Sequence, residues 1–170
     1  MFIFGTADDV FAMAVRIEEN GHQFYAAAAK KADDPAVKKL LEDLAFMEES
    51  HVKAFRDLRG QLPASFPDAV WDPEGLAEGY LQATADTHIF TVEAASSRLK
   101  SANEPLEVLN MALQFEKDSV AFFLGMKEIL PDVSGRGEID KLIMAEMDHI
   151  RMLSAARNQL IASGTTTAIG

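Results

Sequence analysis

Six side chains of this 170-residue chain have the types and spacing for chemistry. Two segments read Glu-x-x-His: EESH, with Glu48 and His51, and EMDH, with Glu146 and His149. A separation of three places carboxylate and imidazole on one helical face about a turn apart, so both can reach one centre. Two further segments, IEENGHQFY and FEKDSVAFF, each hold a glutamate, Glu18 and Glu116, followed six and seven residues later by a pair of aromatics. The chemistry such a set supports is ligation of a cation by oxygen and nitrogen donors.

The spacings repeat. Glu116 − Glu18, Glu146 − Glu48 and His149 − His51 all equal 98, and within each half the two glutamates are 30 apart (48 − 18 and 146 − 116). Three coincident offsets point to a duplicated helical hairpin carrying one constellation. Residues three, four and seven away share a helical face. For Glu18 these include Phe11, Ala14, Val15 and Tyr25; for Glu48, Leu41, Leu44, Val52 and Phe55. Glu116 has Leu109, Ala112 and Phe123, and Glu146 has Ile139, Leu142, Ile143 and Leu153. The neighbouring Glu19 and Glu49 sit among wetter sets. All four chosen carboxylates therefore lie on core-facing stripes, where an unneutralised charge costs several kcal/mol. No lysine or arginine lies on those stripes. Two divalent cations would cancel the four anions, and each histidine would add a neutral nitrogen ligand.

The elements that must position these groups read as helices, with no strand pattern. Thr6 and Asp9 form a capping box before a first helix over 7–31. Pro35 starts a second helix over 35–59, whose apolar line is Val37, Leu41, Leu44, Phe55 and Leu58, and Gly60 stands as its C′ residue. QLPASFPDAVWDPEG is a loop, 74–100 reads as shorter helical pieces, and long helices follow over 106–130 and 138–161. The plan is all-α: two helical hairpins joined by one long crossover, the ferritin-like form of the four-helix bundle. Residues 1–163 are assigned to the bundle and 164–170 to a flexible tail.

Composition narrows the function. The net charge of −11 argues against nucleic acid as a partner. The absence of cysteine excludes disulfides, thiolate zinc sites, iron–sulfur clusters and thiol catalysis. No apolar run approaches the roughly 20 residues of a membrane span, and MFIFGTADD lacks the basic start of a signal peptide. A cytoplasmic location without membrane contact is the expectation.

A single glutamate on each of two helices and Glu-x-x-His on the other two is the arrangement of di-iron and di-manganese carboxylate bundles. At these residues the chain resembles the rubrerythrin branch of the ferritin-like superfamily, over all four long helices. The resemblance implies that Glu18, Glu48, His51, Glu116, Glu146 and His149 ligate two iron ions, with manganese or a mixed pair as alternatives. It makes Glu48 and Glu146 candidates for bridging. It implies activation of dioxygen or peroxide with oxidation of ferrous iron, an external electron donor, and a homodimer. Two departures stand out: the chain has no rubredoxin-like four-cysteine module, and Ser119 occupies the position where rubrerythrins carry a further glutamate. The competing reading is a non-catalytic module that binds or delivers iron, or packs as a structural oligomer.

Tyr25, on the face of Glu18, is a candidate catalytic residue, either as hydrogen-bond partner of a ligand or as a radical sink; core packing is the plain alternative. Phe24, Phe122 and Phe123 read as core that keeps water from the centre. Gly21 either admits a close neighbour or merely weakens its helix. His22 and His88 fall outside the repeat and read as structural or exposed. Most methionines read as core gap fillers.

Overall fold

The computed structural model describes residues 6–62, 79–81, 83, 99–102, 104–130 and 135–164. Among these, four long helices make an all-α bundle: α1 (Ala7–Lys31), α2 (Pro35–Gly60), α3 (Pro105–Ile129) and α4 (Arg136–Ser163).

Local chemistry sets the ends. The Thr6 hydroxyl accepts from the Asp9 amide at 3.1 Å, and the Thr6 amide donates back to the Asp9 carboxylate at 3.0 Å. Asp8 and Asp9 in the first turn of α1, and Lys30 and Lys31 in its last, complement the helix dipole. Asp34 caps α2 by accepting from the amides of Ala36 and Val37, at 2.8 and 2.9 Å, with Pro35 in the first turn. Gly60 departs from expectation. It is the last residue of α2 rather than a left-handed C′ residue, and the helix closes through tight bonds from Gln61 to Leu58 and from Leu62 to Arg59. The fourth helix begins two residues earlier than expected, after Gly135 in left-handed conformation (φ 83°), and ends two residues later, at Ser163, capped by left-handed Gly164 (φ 64°). A side chain at Gly135 would also strike Leu58. Arg136 donates two bonds to the Leu130 carbonyl, at 2.9 and 2.7 Å, and so ties the start of α4 to the end of α3.

The helices pair as two antiparallel hairpins. Arg59 bonds Asp8 through two nitrogens, at 2.6 and 2.7 Å, and Arg56 pairs with Glu19, joining α2 to α1. Lys127 with Asp140 and Arg157 with Asn110 join α3 to α4 at opposite ends. The expected apolar line of α2 is buried throughout, as are Phe24, Phe122 and Phe123. Met13 and Met126 fill the core, but Met144 and Met147 are exposed, on the face of α4 away from the buried stripe.

Most of the crossover expected over 74–100 lies outside the described residues. Residues 79–81 and 99–101 are helical. Tyr80 lies against Gly125, where a Cβ would strike its ring, and its hydroxyl donates to the Ala121 carbonyl at 2.9 Å. Leu81 is fully buried beside it. Lys31 holds the far end by donating to the carbonyls of Leu99 and Ala102. Of the tail assigned to 164–170, only Gly164 is described.

Candidate metal centre

The six candidate ligands reach the middle of the bundle from four different helices. Glu18 projects from α1, Glu48 and His51 from α2, Glu116 from α3, and Glu146 and His149 from α4. Glu48, Glu116 and Glu146 are 0% exposed, Glu18 and His149 1%, and His51 9%. Charged groups are almost never buried to this degree without partners. Among the described residues no lysine or arginine is buried with them.

The ligand atoms form two overlapping groups. One comprises Glu18, Glu48, His51 and Glu146; the other, Glu48, Glu116, Glu146 and His149. Within each, one donor atom per residue lies within 4.8 Å of all the others. Glu48 and Glu146 belong to both. His51 Nδ1 stands 2.7 Å from Glu146 Oε1 and 3.4 Å from Glu18 Oε2. His149 Nδ1 stands 3.2 Å from Glu146 Oε2, 3.3 Å from Glu48 Oε1 and 3.4 Å from Glu116 Oε1.

These approaches are close, yet they leave hydrogen bonding unmet. Neither Nδ1 is aligned as a donor, and both oxygens of Glu48 and Glu146, one each of Glu18 and Glu116, and His149 Nε2 are buried without a hydrogen-bond partner. So many unsatisfied atoms in one place are rare in a native interior. Inward-facing oxygens and imidazole nitrogens at this density fit a pair of cations, because each orphaned lone pair then has an acceptor for its charge.

The electrostatics of the cluster shift its protonation equilibria. Burial, reinforced by the charges of Glu146 and Glu48, pushes Glu18 and Glu116 well above the usual carboxylate range. Burial and Glu146 act in the same sense on Glu48, but Glu18 and the two imidazoles outweigh them and hold it low. Glu146 is held lower still, as the imidazoles and Glu116 overcome its burial. Burial opposes protonation of the histidines, but the surrounding carboxylates prevail, raising His149 to about 12 and His51 further. The protonated forms of Glu18, Glu116, His51 and His149 are therefore the favoured ones, so the cluster as a whole calls for positive charge.

Tyr25 is fully buried, and its hydroxyl donates to Glu116 Oε1. Burial, then Glu116, pushes its phenol well above the usual range, so it remains a donor. Its ring meets Phe24 and Phe115 edge-on, at 5.3 and 6.1 Å between centroids. Gly21 is a place of close approach: a Cβ there would lie 2.7 Å from two ring atoms of Phe115 and 3.3 Å from Glu48 Cδ. Phe115 was invisible as a site residue in the sequence, since its role depends on the pairing of α1 with α3. Ser119, one turn beyond Glu116, is buried and its hydroxyl has no partner. His22 lies apart from the centre; its Nδ1 bonds the Ala45 carbonyl at 2.8 Å, tying α1 to α2. Glu19 pairs with Arg56 at the surface, and Glu49 is exposed. His88 lies outside the described residues.

The family model described as Rubrerythrin matches residues 9–157. No curated protein sequence matches the chain. The fold is similar to the crystal structure of a Thermotoga maritima protein described as a ferritin-like diiron-carboxylate protein. The TM-score is 0.66 and the identity 24%, over 90% of this chain and 95% of that one.

Proposed function

The chain belongs to the rubrerythrin family, whose fold and dinuclear metal centre are its premise, and we propose that it is a di-iron redox protein. On this reading Glu18 and His51 hold one ion, Glu116 and His149 the other, and Glu48 and Glu146 are shared. The observation that carries it is the pair of overlapping ligand groups: four buried carboxylates and two imidazoles with no basic side chain among them. The mixed carboxylate and imidazole donors suit iron and argue against calcium, which takes oxygen donors alone; against zinc, geometry and metal supply decide rather than donor type. Manganese fits the same donors, and metal analysis of the isolated protein decides between them.

Held by these six residues, a pair of ferrous ions would supply the two electrons that, with two protons, take one peroxide to two waters or one dioxygen to peroxide. The residues of the chain provide the setting. Glu48 and Glu146, which belong to both ligand groups, would be shared between the two ions. Tyr25 orients Glu116 by its hydrogen bond and keeps a proton beside the centre. Phe55 and Phe123, 4.9 Å apart, and Phe24 and Phe115, 6.4 Å apart, exclude bulk water. On this reading a reductant from outside these 170 residues, which contain no cysteine, restores the ferrous state.

That same lack of cysteine favours a second reading, passive iron binding or delivery. Turnover separates the two. Ferrous iron is loaded without oxygen, peroxide or dioxygen is added, and its consumption is followed with a chemical reductant. The proposal expects repeated turnover, lost in Glu48→Ala and His149→Ala. Tight binding of two ferrous ions with no oxidation of them rejects the redox reading and leaves the passive one.

A further inference from the structure

We propose that the groove between α2 and α4 is the passage by which divalent cations reach the buried centre, with His51 the first ligand they meet. This rests on the reading of the six residues as a metal site.

Among the described residues, five of the six ligands are buried to 0–1% exposure. Aromatic rings of Phe24, Tyr25 and Phe115 close it between α1 and α3, and a hydrated cation cannot cross an apolar wall without losing its water. His51 is the exception among the six, with 11% of its side chain exposed. It forms part of an open groove of about 470 Å³, whose other lining residues include Ala54, Asp57, Glu138, Lys141 and Ala145. Two alanines, one on each helix, leave room where larger side chains would close the seam.

The charge of the lining suits a cation. Asp57 and Glu138 stand at the mouth with side chains 63% and 57% exposed, against a single ammonium, Lys141, paired to Glu138 at 2.6 Å. Lys53 approaches Asp57 only to 3.9 Å. Asp57, whose one cationic neighbour stands 3.9 Å away, leaves the mouth with an excess of negative charge, which raises the local concentration of cations and their arrival rate. A second groove of about 430 Å³ lies toward the other end of the same seam, but none of the six ligand residues lines it.

The test is the rate at which the metal-free full-length chain takes up cobalt(II), followed by its visible absorption. Asp57→Lys with Glu138→Lys reverses the charge at exposed positions of the groove. Glu42→Lys with Glu128→Lys makes the same change in net charge elsewhere on the surface. The groove variant is expected to load about tenfold or more slowly than the control, with the same final content of two ions. Ala54→Trp, which fills the groove without changing charge, should also slow loading. Equal rates in the groove and control variants would overturn the passage. No cobalt bound by the unaltered chain at equilibrium would instead overturn the metal site, and the passage with it.

Discussion

The imidazole rings of His51 and His149 lie face to face, their centroids 5.3 Å apart and their planes 14° from parallel. They come from equivalent positions of two hairpins 98 residues apart, so the repeat in the sequence becomes a near-symmetric pair in space. Each Nδ1 faces carboxylate oxygens rather than the other ring.

On the proposed reading the histidines serve separate ions. His51→Ala should vacate the half nearest Glu18, and His149→Ala the half nearest Glu116. Each variant should retain one ion per chain after gel filtration, while Glu48→Ala, which removes a shared ligand, should retain neither. Metal analysis of the three proteins checks this.

Metal removal should cost stability, because ions that bind only the folded state add to it. At 100 times the dissociation constant the gain is about 2.7 kcal/mol, corresponding to a rise in Tm of about 5–10 °C for a chain of this size. Melting with and without chelator measures it. Identical Tm values would show that no ion is held in the core.

The pH dependence of that stability should differ in slope between the two forms. In the metal-free protein His51 and His149 have folded pKa values raised above 6.5, His149 to about 12. Their contribution is present in full below 6.5 and is lost as pH rises toward the folded values. Glu18 and Glu116, also raised, act in the same direction. Glu48 and Glu146, lowered, are ionised in both states above about pH 6 and add no slope there. Between pH 6.5 and 9 the metal-free Tm should therefore fall. The loaded form should gain over the same range, since metal binding displaces those protons. Thermal melts at several pH values, buffered to avoid metal loss, compare the two slopes.

Tyr25→Phe should leave both ions bound but orphan one buried oxygen of Glu116. A loss of about 1–3 kcal/mol in the metal-free protein is expected from denaturant titration. The rate of ferrous oxidation should also fall, with metal content unchanged. An unaltered oxidation rate would assign Tyr25 to packing alone.

Gly21→Ala should destabilise, though alanine is the better helix former by about 0.5–1 kcal/mol. The new methyl would lie 2.7 Å from the ring of Phe115, which is itself wedged between Phe24 and Tyr25. Overpacking of this kind costs about 1–3 kcal/mol, so a net loss is expected in chemical denaturation.

How far the sequence foretold this molecule depended on how local each signal was. Thr6 with Asp9 and Asp34 with Pro35 act within a single turn, and the starts of α1 and α2 fall where those residues place them. The start of α4 has no such cap: Gly135 depends on its left-handed backbone and on the nearness of Leu58, a contact from the other hairpin. Gly60 misled because a C′ glycine and a last-turn glycine look alike in sequence. The six inward groups were readable because two short-range motifs recur at one offset. The fit of Phe115 on Gly21, of Tyr80 on Gly125, and the groove beside His51 were not, since each is made by residues that meet only once the helices have packed.

The claim that everything else rests on is that two ions share these six side chains. Crystals of the iron-loaded protein, measured at the iron absorption edge, test it most directly through anomalous scattering. Two peaks are expected in the centre of the bundle, one beside Glu18 and His51 and one beside Glu116 and His149, with Glu48 and Glu146 reaching both. No peak among these residues, or iron found only at the surface carboxylates, would contradict it.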